Sequence, residues 1–317
     1  MRIDAHQHFW KYSSSEYPWI PEGSALHRDW LPEDLEALQR PLGLDGSVAV
    51  QARQSLEETQ WLLGLADRCS RVLGVVGWVD LRSEALDEQL DLFVAHPRFV
   101  GVRHVVQDEP DGFLVQDHVL AGLRRLSERG IGYDVLVFAR QLPDVLRMMD
   151  AVEGLRMVVD HGAKPDIRGG EFREWRRLLG EVGARRGVYC KLSGLVTEAD
   201  WNGWSEGEIQ PYIEAIFEIF GPERVMWGSD WPVCLHAASY AVWWEVVREF
   251  VENRFPTAAN AVFGGNCATF YRLGGRFFEP FKRFVGAVKF RVAFFCFGGT
   301  LRPYAYHTKN SVFSSAS

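Results

Sequence analysis

Two histidines stand two residues apart near the start of the chain, in the segment Asp4-Ala5-His6-Gln7-His8. Apolar and polar residues alternate there as they do in a β-strand, whose side chains point to opposite faces in turn. We therefore expect Asp4, His6 and His8 to share one face. Two neighbouring imidazoles at the end of a strand can bind one divalent cation.

Two later segments carry groups that would complete such a site. His161 follows the apolar residues 157–159 and precedes Lys164 by three positions. Asp230 lies in the segment Trp-Gly-Ser-Asp-Trp-Pro of residues 227–232, where the proline ends the strand. Three imidazoles and one carboxylate suit a catalytic divalent metal ion with one open position. Asp230 could also act as a general base on water, with His161 orienting that water.

Eight short, mostly apolar segments alternate with amphipathic, helix-like ones along the chain. This alternation indicates parallel βαβ units, and eight of them predict a closed (β/α)8 barrel. A doubly wound open sheet is the structural alternative, but the glycine-rich phosphate loop that would favour it is missing after the first strand. The predicted strands cover residues 2–8, 47–52, 72–79, 99–106, 131–137, 156–161, 187–193 and 224–230.

In such a barrel the reactive groups sit where the strands end, and further polar residues occupy those positions here. Lys164 and Arg103 are cations that could bind a carbonyl oxygen or stabilise an oxyanion. We also expect Gln51, His104 and Trp231, at or beside strand ends, to contact the substrate. Neither a G-x-S-x-G nor an H-E-x-x-H motif occurs, which argues against a serine hydrolase and a helical zinc protease site.

Composition limits the class of protein. The net charge of −7 over 317 residues does not favour nucleic-acid binding. The five cysteines are scattered without a C-x-x-C pair, which suits a reducing compartment, and no apolar run is long enough to cross a membrane. We therefore expect a cytoplasmic protein with no membrane partner.

The chain divides into one large domain and a tail of different composition. Residues 1–274 contain all the predicted strands, with a Trp-, Tyr- and Pro-rich insert at about 9–45 that we expect to cap the barrel mouth. Residues 275–317 contain nine Phe, seven Lys or Arg and one acidic residue. We interpret them as an atypical basic extension that contributes no chemistry.

Taken together, D-x-H-x-H on the first strand, V-x-D-H-x-A-K-P near the middle and W-G-S-D-W-P near the end resemble the lactonase branch of the amidohydrolase superfamily. The resemblance covers about residues 1–274. It implies a distorted (β/α)8 barrel of the metal-dependent-hydrolase type, with His6, His8, His161 and Asp230 at the family's site positions. It also implies that the enzyme opens a lactone to its hydroxy acid, such as L-fucono- or L-rhamnonolactone, with Asp230 as base.

One departure bears on the metal, and three other functions remain open. Binuclear members of the superfamily carry a bridging Lys or Glu on the fourth strand, where this chain has Arg103 and His104. We therefore expect one divalent ion, zinc or manganese, although some lactonases of the branch are thought to need none.

The alternatives are a metal-dependent decarboxylase of the same superfamily, a hydrolase of a dicarboxylate or aromatic-derived lactone, and a non-catalytic binding barrel. The oligomeric state is left open.

Overall fold

The computed structural model describes residues 1–274. The expected basic extension at 275–317 lies outside these residues. The strands are β1 Ile3–Gln7, β2 Gly46–Val50, β3 Val72–Gly77, β4 Phe99–Val105, β5 Gly132–Leu136, β6 Met157–Val159, β7 Tyr189–Leu192 and β8 Val225–Trp227. The α-helices of the described part are α1 Pro32–Gln39, α2 Leu56–Arg68, α3 Leu86–Asp91, α4 Asp117–Glu128, α5 Leu142–Ala151, α6 Phe172–Gly183, α7 Glu206–Phe220, α8 Tyr240–Arg254 and α9 Asn266–Tyr271.

The eight strands pair in parallel and in chain order, and the two end strands come together. The His8 backbone amide donates to the Trp231 carbonyl at 2.7 Å, and the Asp230 amide donates to the His6 carbonyl at 2.8 Å. These bonds join β1 to the chain directly after β8. The predicted (β/α)8 barrel is therefore confirmed, and the strand order excludes the doubly wound sheet.

Two apolar layers hold the barrel together. Inside it, strand residues such as Ile3, Val48 and Val158 pack with Phe270 and Tyr271 of α9. Because α9 contacts the residues at the start of β1, it closes the end of the barrel where the strands begin. The second layer lies between the strands and the outer helices and includes several buried tryptophans. The strands are buried on both faces, as a parallel sheet requires, so only the strand ends remain for chemistry.

The insert at residues 9–45 is an ordered part of the domain. Trp10 and Trp30 form a short antiparallel bridge, and the Trp10 indole donates to the Arg28 carbonyl at 2.9 Å. The Tyr17 hydroxyl donates to the buried Glu58 carboxylate of α2 at 3.1 Å. These bonds fix the insert against the barrel.

One prediction for β1 is wrong, namely that Asp4 shares a face with the two histidines. Asp4 does not share a face with His6 and His8, because a register irregularity between Asp4 and Gln7 interrupts the alternation. The Asp4 carboxylate instead accepts hydrogen bonds from the Ser229 hydroxyl at 2.6 Å and the Tyr240 hydroxyl of α8 at 3.0 Å. Asp4 therefore ties the strand to the outer helix layer.

Among residues 1–274, no helix has both the length and the hydropathy that crossing a membrane would require.

Candidate metal and active site

Four side chains converge at the end of the barrel where the strands end. The His8 Nε2 atom lies 3.3 Å from Asp230 Oδ1, the His6 Nε2 atom 3.7 Å and the His161 Nε2 atom 3.8 Å from the same oxygen. The two β1 imidazoles are 3.2 Å apart, measured between their Nε2 atoms. All four residues are buried. The structure thus brings together four residues of which the first and the last, His6 and Asp230, are more than 220 positions apart in the chain.

The spacing of these atoms fits a single small cation. The donors of a tetrahedral zinc ion, at about 2.0–2.1 Å from the metal, lie roughly 3.3 Å from one another. The distances within the cluster bracket that value, and one ligand atom each from His6, His161 and Asp230 lie within 4.8 Å of one another. The donor set of imidazole nitrogens and one carboxylate oxygen is the set that zinc and related divalent ions prefer.

Neighbouring groups orient each imidazole. The Nδ1 atom of His8 lies 2.8 Å from the Val50 carbonyl oxygen, to which it can only donate a proton. The Nδ1 atom of His161 lies 2.8 Å from the Ser193 hydroxyl, and that of His6 lies 3.4 Å from Asp160 Oδ1. When the Nδ1 atoms of His8 and His161 carry the proton, the Nε2 lone pairs of these two imidazoles point at the cluster. Such outer hydrogen bonds fix the tautomer that a metal ligand needs.

An unusual backbone turn presents the residues after β6. His161, Gly162, Ala163 and Lys164 all have positive φ, with values of 53°, 56°, 62° and 47°. This conformation costs roughly 1–2 kcal/mol for each residue with a side chain. A Cβ at Gly162 would lie 2.8 Å from Ile216 Cδ1, so a larger residue would have to displace the Ile216 side chain and adopt a strained positive φ.

Two hydrogen bonds hold this turn in place. The Lys164 amide donates to the His161 carbonyl at 2.9 Å, and the Trp175 indole donates to the Gly162 carbonyl at 2.7 Å. Asp230 has a positive φ of 57° as well. Backbone strain of this kind concentrates at functional sites.

A network of buried charges lies beside the four-residue cluster. The Lys191 ammonium on β7 lies 2.5 Å from Asp134 Oδ2 and 3.0 Å from Asp160 Oδ1. The Arg103 guanidinium lies 3.2 Å from Asp160 Oδ2 and 3.3 Å from His6 Nε2. Two carboxylates thus balance two cations. Because both carboxylates are paired with these cations, the arrangement supports a site for one ion.

Burial and charge set the protonation states within the cluster. Burial lowers the pKa of His161 to about 4, so its imidazole is neutral at ordinary pH. Burial alone would raise the pKa of Asp230, but the contacts with His161, His8 and His6 bring that pKa well below its usual range. A neutral His161 imidazole beside an ionised Asp230 carboxylate gives these two ligands the forms that bind a metal ion.

The cluster opens into a cavity of about 620 Å³. His8, His161, Asp230, Arg103 and Lys164 all contribute to its wall. The Lys164 ammonium lies 3.0 Å from Gln107 Oε1 and 3.0 Å from Glu198 Oε1. The insert contributes Glu16, Trp19 and Pro21 to the rim, and the remaining wall includes Arg53, Gln107, Phe138, Glu198, Trp201 and His236.

Three of the predicted substrate-binding residues, Gln51, His104 and Trp231, are not among the described residues that line this cavity. Gln51 accepts a hydrogen bond from Arg103 at 3.0 Å through its side chain. His104 lies 2.9 Å from Glu109 and stacks on Phe113. Their observed contacts are with the protein.

Trp231 is the third of these residues. It is fully buried and packs edge-on against Trp30, with ring centroids 5.0 Å apart. Its backbone joins β1 to the chain after β8, as described above. Its observed role is therefore to connect the insert with the barrel.

Several residues at or beside the site have no role that the sequence predicted. They are Lys191 in the buried network, and Gln107, Glu198 and Trp201 in the cavity wall. Glu198 and Trp201 lie in the loop that follows β7, and position after a barrel strand was the available signal. Charge alone could not have distinguished them from solvated loop residues.

Comparison with known proteins identifies related sequences. The sequence profile of the family described as amidohydrolase matches residues 3–273. An L-fucono-1,5-lactonase from Burkholderia multivorans is 42% identical over 288 residues, which cover 86% of this chain and 96% of that protein. An L-fucono-1,5-lactonase from Burkholderia ambifaria is 39% identical over 279 residues, with the same coverage.

A solved structure agrees with these relatives. The crystal structure of an amidohydrolase from Burkholderia multivorans with bound zinc is 41% identical and superimposes with a TM-score of 0.83. The match covers 86% of this chain and 99% of that one. A similar protein thus binds zinc, and the three histidines and one aspartate of this chain have the donor set for it.

Proposed function

Because this chain belongs to the amidohydrolase family, we propose that it is a hydrolase that opens a sugar lactone, such as L-fucono- or L-rhamnonolactone, to the hydroxy acid. One observation carries the proposal: the imidazoles of His6, His8 and His161 meet the Asp230 carboxylate beside a cavity large enough for a sugar ring, and His8, His161 and Asp230 line that cavity. The two Burkholderia relatives are L-fucono-1,5-lactonases, which supports a lactone among the possible esters.

The cluster of three histidines and Asp230 is the place for a metal ion. His6, His8, His161 and Asp230 would hold one zinc or manganese ion, since the three Nε2 atoms lie 3.3–3.8 Å from the same carboxylate oxygen. When bound, such an ion polarises a carbonyl oxygen and lowers the pKa of water.

Asp230 acts as the general base. Its carboxylate is ionised, lines the cavity and is held by the bond from its own amide to the His6 carbonyl. It accepts a proton from water as the water oxygen attacks the ring carbonyl carbon. When the ring C–O bond of the tetrahedral species breaks, Asp230 returns that proton to the leaving oxygen. The net reaction adds one water to the lactone.

Lys164 and Arg103 stabilise the negative charge that develops on the carbonyl oxygen. Both cations line the cavity. Two partners, Gln107 and Glu198, restrain the Lys164 ammonium, which has three donors in all. A well-placed donor of this kind contributes about 3–4 kcal/mol to transition-state stabilisation.

The proposed substrate is a small molecule, and we propose a cytoplasmic location. The described cysteines, Cys69, Cys190, Cys234 and Cys267, all carry free thiols, which supports a reducing compartment.

Proton release by the purified protein tests the assignment. A panel of aldonolactones that differ in ring size and stereochemistry is followed with a pH indicator. Turnover of one stereochemical series is expected, and mass spectrometry should show a hydroxy acid one water heavier than the lactone. No turnover of any lactone, or release of carbon dioxide from an aromatic acid, would contradict the proposal and favour a decarboxylase.

A further inference from the structure

The loop that follows β7, residues 193–205, carries a carboxylate and an indole into the cavity wall. Glu198 lies in a short 3-10 turn, Val196–Glu198, and its side chain is only 15% exposed. One of its oxygens, Oε1, is held 3.0 Å from the Lys164 ammonium. Within residues 1–274, no hydrogen bond engages the other oxygen, Oε2. The carboxylate therefore keeps an acceptor for a further group.

Lys164 and Gln107 hold this carboxylate in place and add donors beside it. The Lys164 ammonium also lies 3.0 Å from Gln107 Oε1 and 5.1 Å from the centre of the Phe138 ring. A lysine held by three neighbours loses the conformational freedom that usually weakens exposed ion pairs. The result is a fixed group with both donor and acceptor atoms at the cavity wall.

Trp201 adds an apolar surface to the same part of the cavity. Its ring stacks on His236 with centroids 4.4 Å apart and planes inclined by 17°, and its indole donates to the Thr197 carbonyl at 2.8 Å. The residue is nevertheless 46% exposed. A fixed, exposed indole next to charged hydrogen-bonding groups matches a ring that has both C–H and O–H groups.

We propose that Glu198, Lys164 and Trp201 form a subsite that recognises the hydroxyl groups of the lactone ring and so determines which sugar is accepted. Glu198 Oε2 accepts a hydrogen bond from a ring hydroxyl, the Lys164 ammonium holds the Glu198 carboxylate in position, and the Gln107 amide donates to a neighbouring hydroxyl oxygen. The Trp201 ring covers the C–H groups. This inference rests on the proposed function, since it concerns how the same cavity selects its substrate.

The variant Glu198→Gln tests the recognition of one hydroxyl. The value of kcat/KM is measured for the best lactone and for analogues that lack, or invert, each ring hydroxyl in turn. In the unmodified protein we expect one deoxy analogue to lose about 10- to 150-fold, the effect of one hydrogen bond to a charged group. Glu198→Gln should lose a similar factor on the parent lactone and little on that analogue. An equal loss on every lactone, or no loss, would overturn the proposal.

Controls separate recognition from folding. Glu206→Gln changes an exposed glutamate in the first turn of α7, outside the cavity wall, and should leave kcat/KM unchanged. Urea unfolding of Glu198→Gln establishes that the variant is folded.

Trp201→Leu should raise KM about tenfold for all lactones alike, and an unchanged KM would remove Trp201 from the subsite.

Binding measurements keep the subsite distinct from the reaction. Titration calorimetry with the aldonic acids that correspond to the same lactones needs no turnover. Suppose that no lactone is hydrolysed but Glu198→Gln abolishes discrimination between the parent acid and one deoxy acid. This result would support the subsite and contradict the proposed reaction. If lactones are hydrolysed and Glu198→Gln keeps the full discrimination in both assays, the subsite falls alone. Absence of both turnover and discrimination overturns both.

Discussion

Replacing Lys191 by methionine should leave the buried Asp134 carboxylate without a neighbouring cation. The Lys191 ammonium is fully buried and lies 2.5 Å from Asp134 Oδ2, 3.0 Å from Asp160 Oδ1 and 3.1 Å from His6 Nδ1. Methionine has nearly the same length and fills the space, so the change removes charge with little change in volume. After the change, Asp160 keeps Arg103, while the Asp134 side chain keeps one hydrogen-bond partner within residues 1–274, the Tyr271 hydroxyl at 2.7 Å.

The size of the effect follows from this loss of charge. Removing one partner of a buried ion pair costs about 3–5 kcal/mol in the free energy of unfolding. Burial already raises the pKa of Asp134 from 3.8 to about 6 while Lys191 opposes that rise, so the pKa would rise further without Lys191. The folded variant would then bind a proton that the unfolded chain releases. Its stability should therefore fall as the pH rises, by about 1.4 kcal/mol per pH unit until the new pKa is passed.

Urea unfolding at pH 5 and pH 8 measures this effect. The variant should be about 3–5 kcal/mol less stable than the unmodified protein at pH 8, with a smaller deficit at pH 5. Lys11→Met, the same substitution at an exposed position, should change stability by less than about 0.5 kcal/mol.

A double variant provides the second control. Adding Asp134→Asn to Lys191→Met removes one stranded charge and should recover a large part of the loss. A deficit below about 1 kcal/mol at pH 8, or one that does not shrink at pH 5, would refute the reasoning that an uncompensated buried charge is the cause.

Three further outcomes are expected. Asp230→Asn should lower kcat/KM on the best lactone by about 10²- to 10⁴-fold with an unchanged circular dichroism spectrum, because the general base is lost; near-normal turnover would remove that role from Asp230. Burial raises the pKa of Glu58 from 4.5 to about 7, so the folded protein holds a proton that the unfolded chain has released between these pH values. Relative to Glu58→Gln, the unmodified protein should therefore lose up to about 3 kcal/mol of stability in urea as the pH rises from 4.5 to 7, and parallel pH curves would contradict this. Zinc at a hundredfold excess over its dissociation constant should stabilise chelator-treated protein by about 2.7 kcal/mol, and His161→Ala should lose most of that gain; an equal gain in the variant would place the ion elsewhere.

Much of the fold could be predicted because its signals are local. Each strand is a short run of apolar residues followed by a polar group, and all eight predicted strands overlap the observed ones. The amphipathic segments at 55–70, 115–129, 141–150, 171–183, 208–220 and 238–252 predict helices that overlap α2 and α4 to α8. The short helices α1, α3 and α9 were not predicted, because a short segment carries too little periodicity. The predicted ends of several strands extend too far, because the chain leaves the sheet before His161, Ser193 and Asp230.

The candidate site could be predicted as a set of residues but not as an arrangement. His6, His8, His161 and Asp230 were identifiable because parallel strands of a barrel must end at one rim. The contacts of Asp4, Gln51, His104 and Trp231 were not, since each depends on a bulge, a neighbouring guanidinium or an aromatic neighbour distant in the chain. A side-chain direction at a strand end depends on backbone angles that composition does not reveal.

The sequence by itself therefore determined the parallel barrel and the four residues able to bind a cation, because hydrophobic periodicity and residue type are properties of short segments. Only the tertiary structure decided that Lys191 lies between Asp134 and Asp160, and that Glu198 meets Lys164 across the cavity wall. Ion pairs between residues on different strands and loops depend on how the closed barrel brings the segments together. The left-handed turn at His161–Lys164 was equally hidden, since its strain is balanced by the Trp175 indole and other packing from distant parts of the chain.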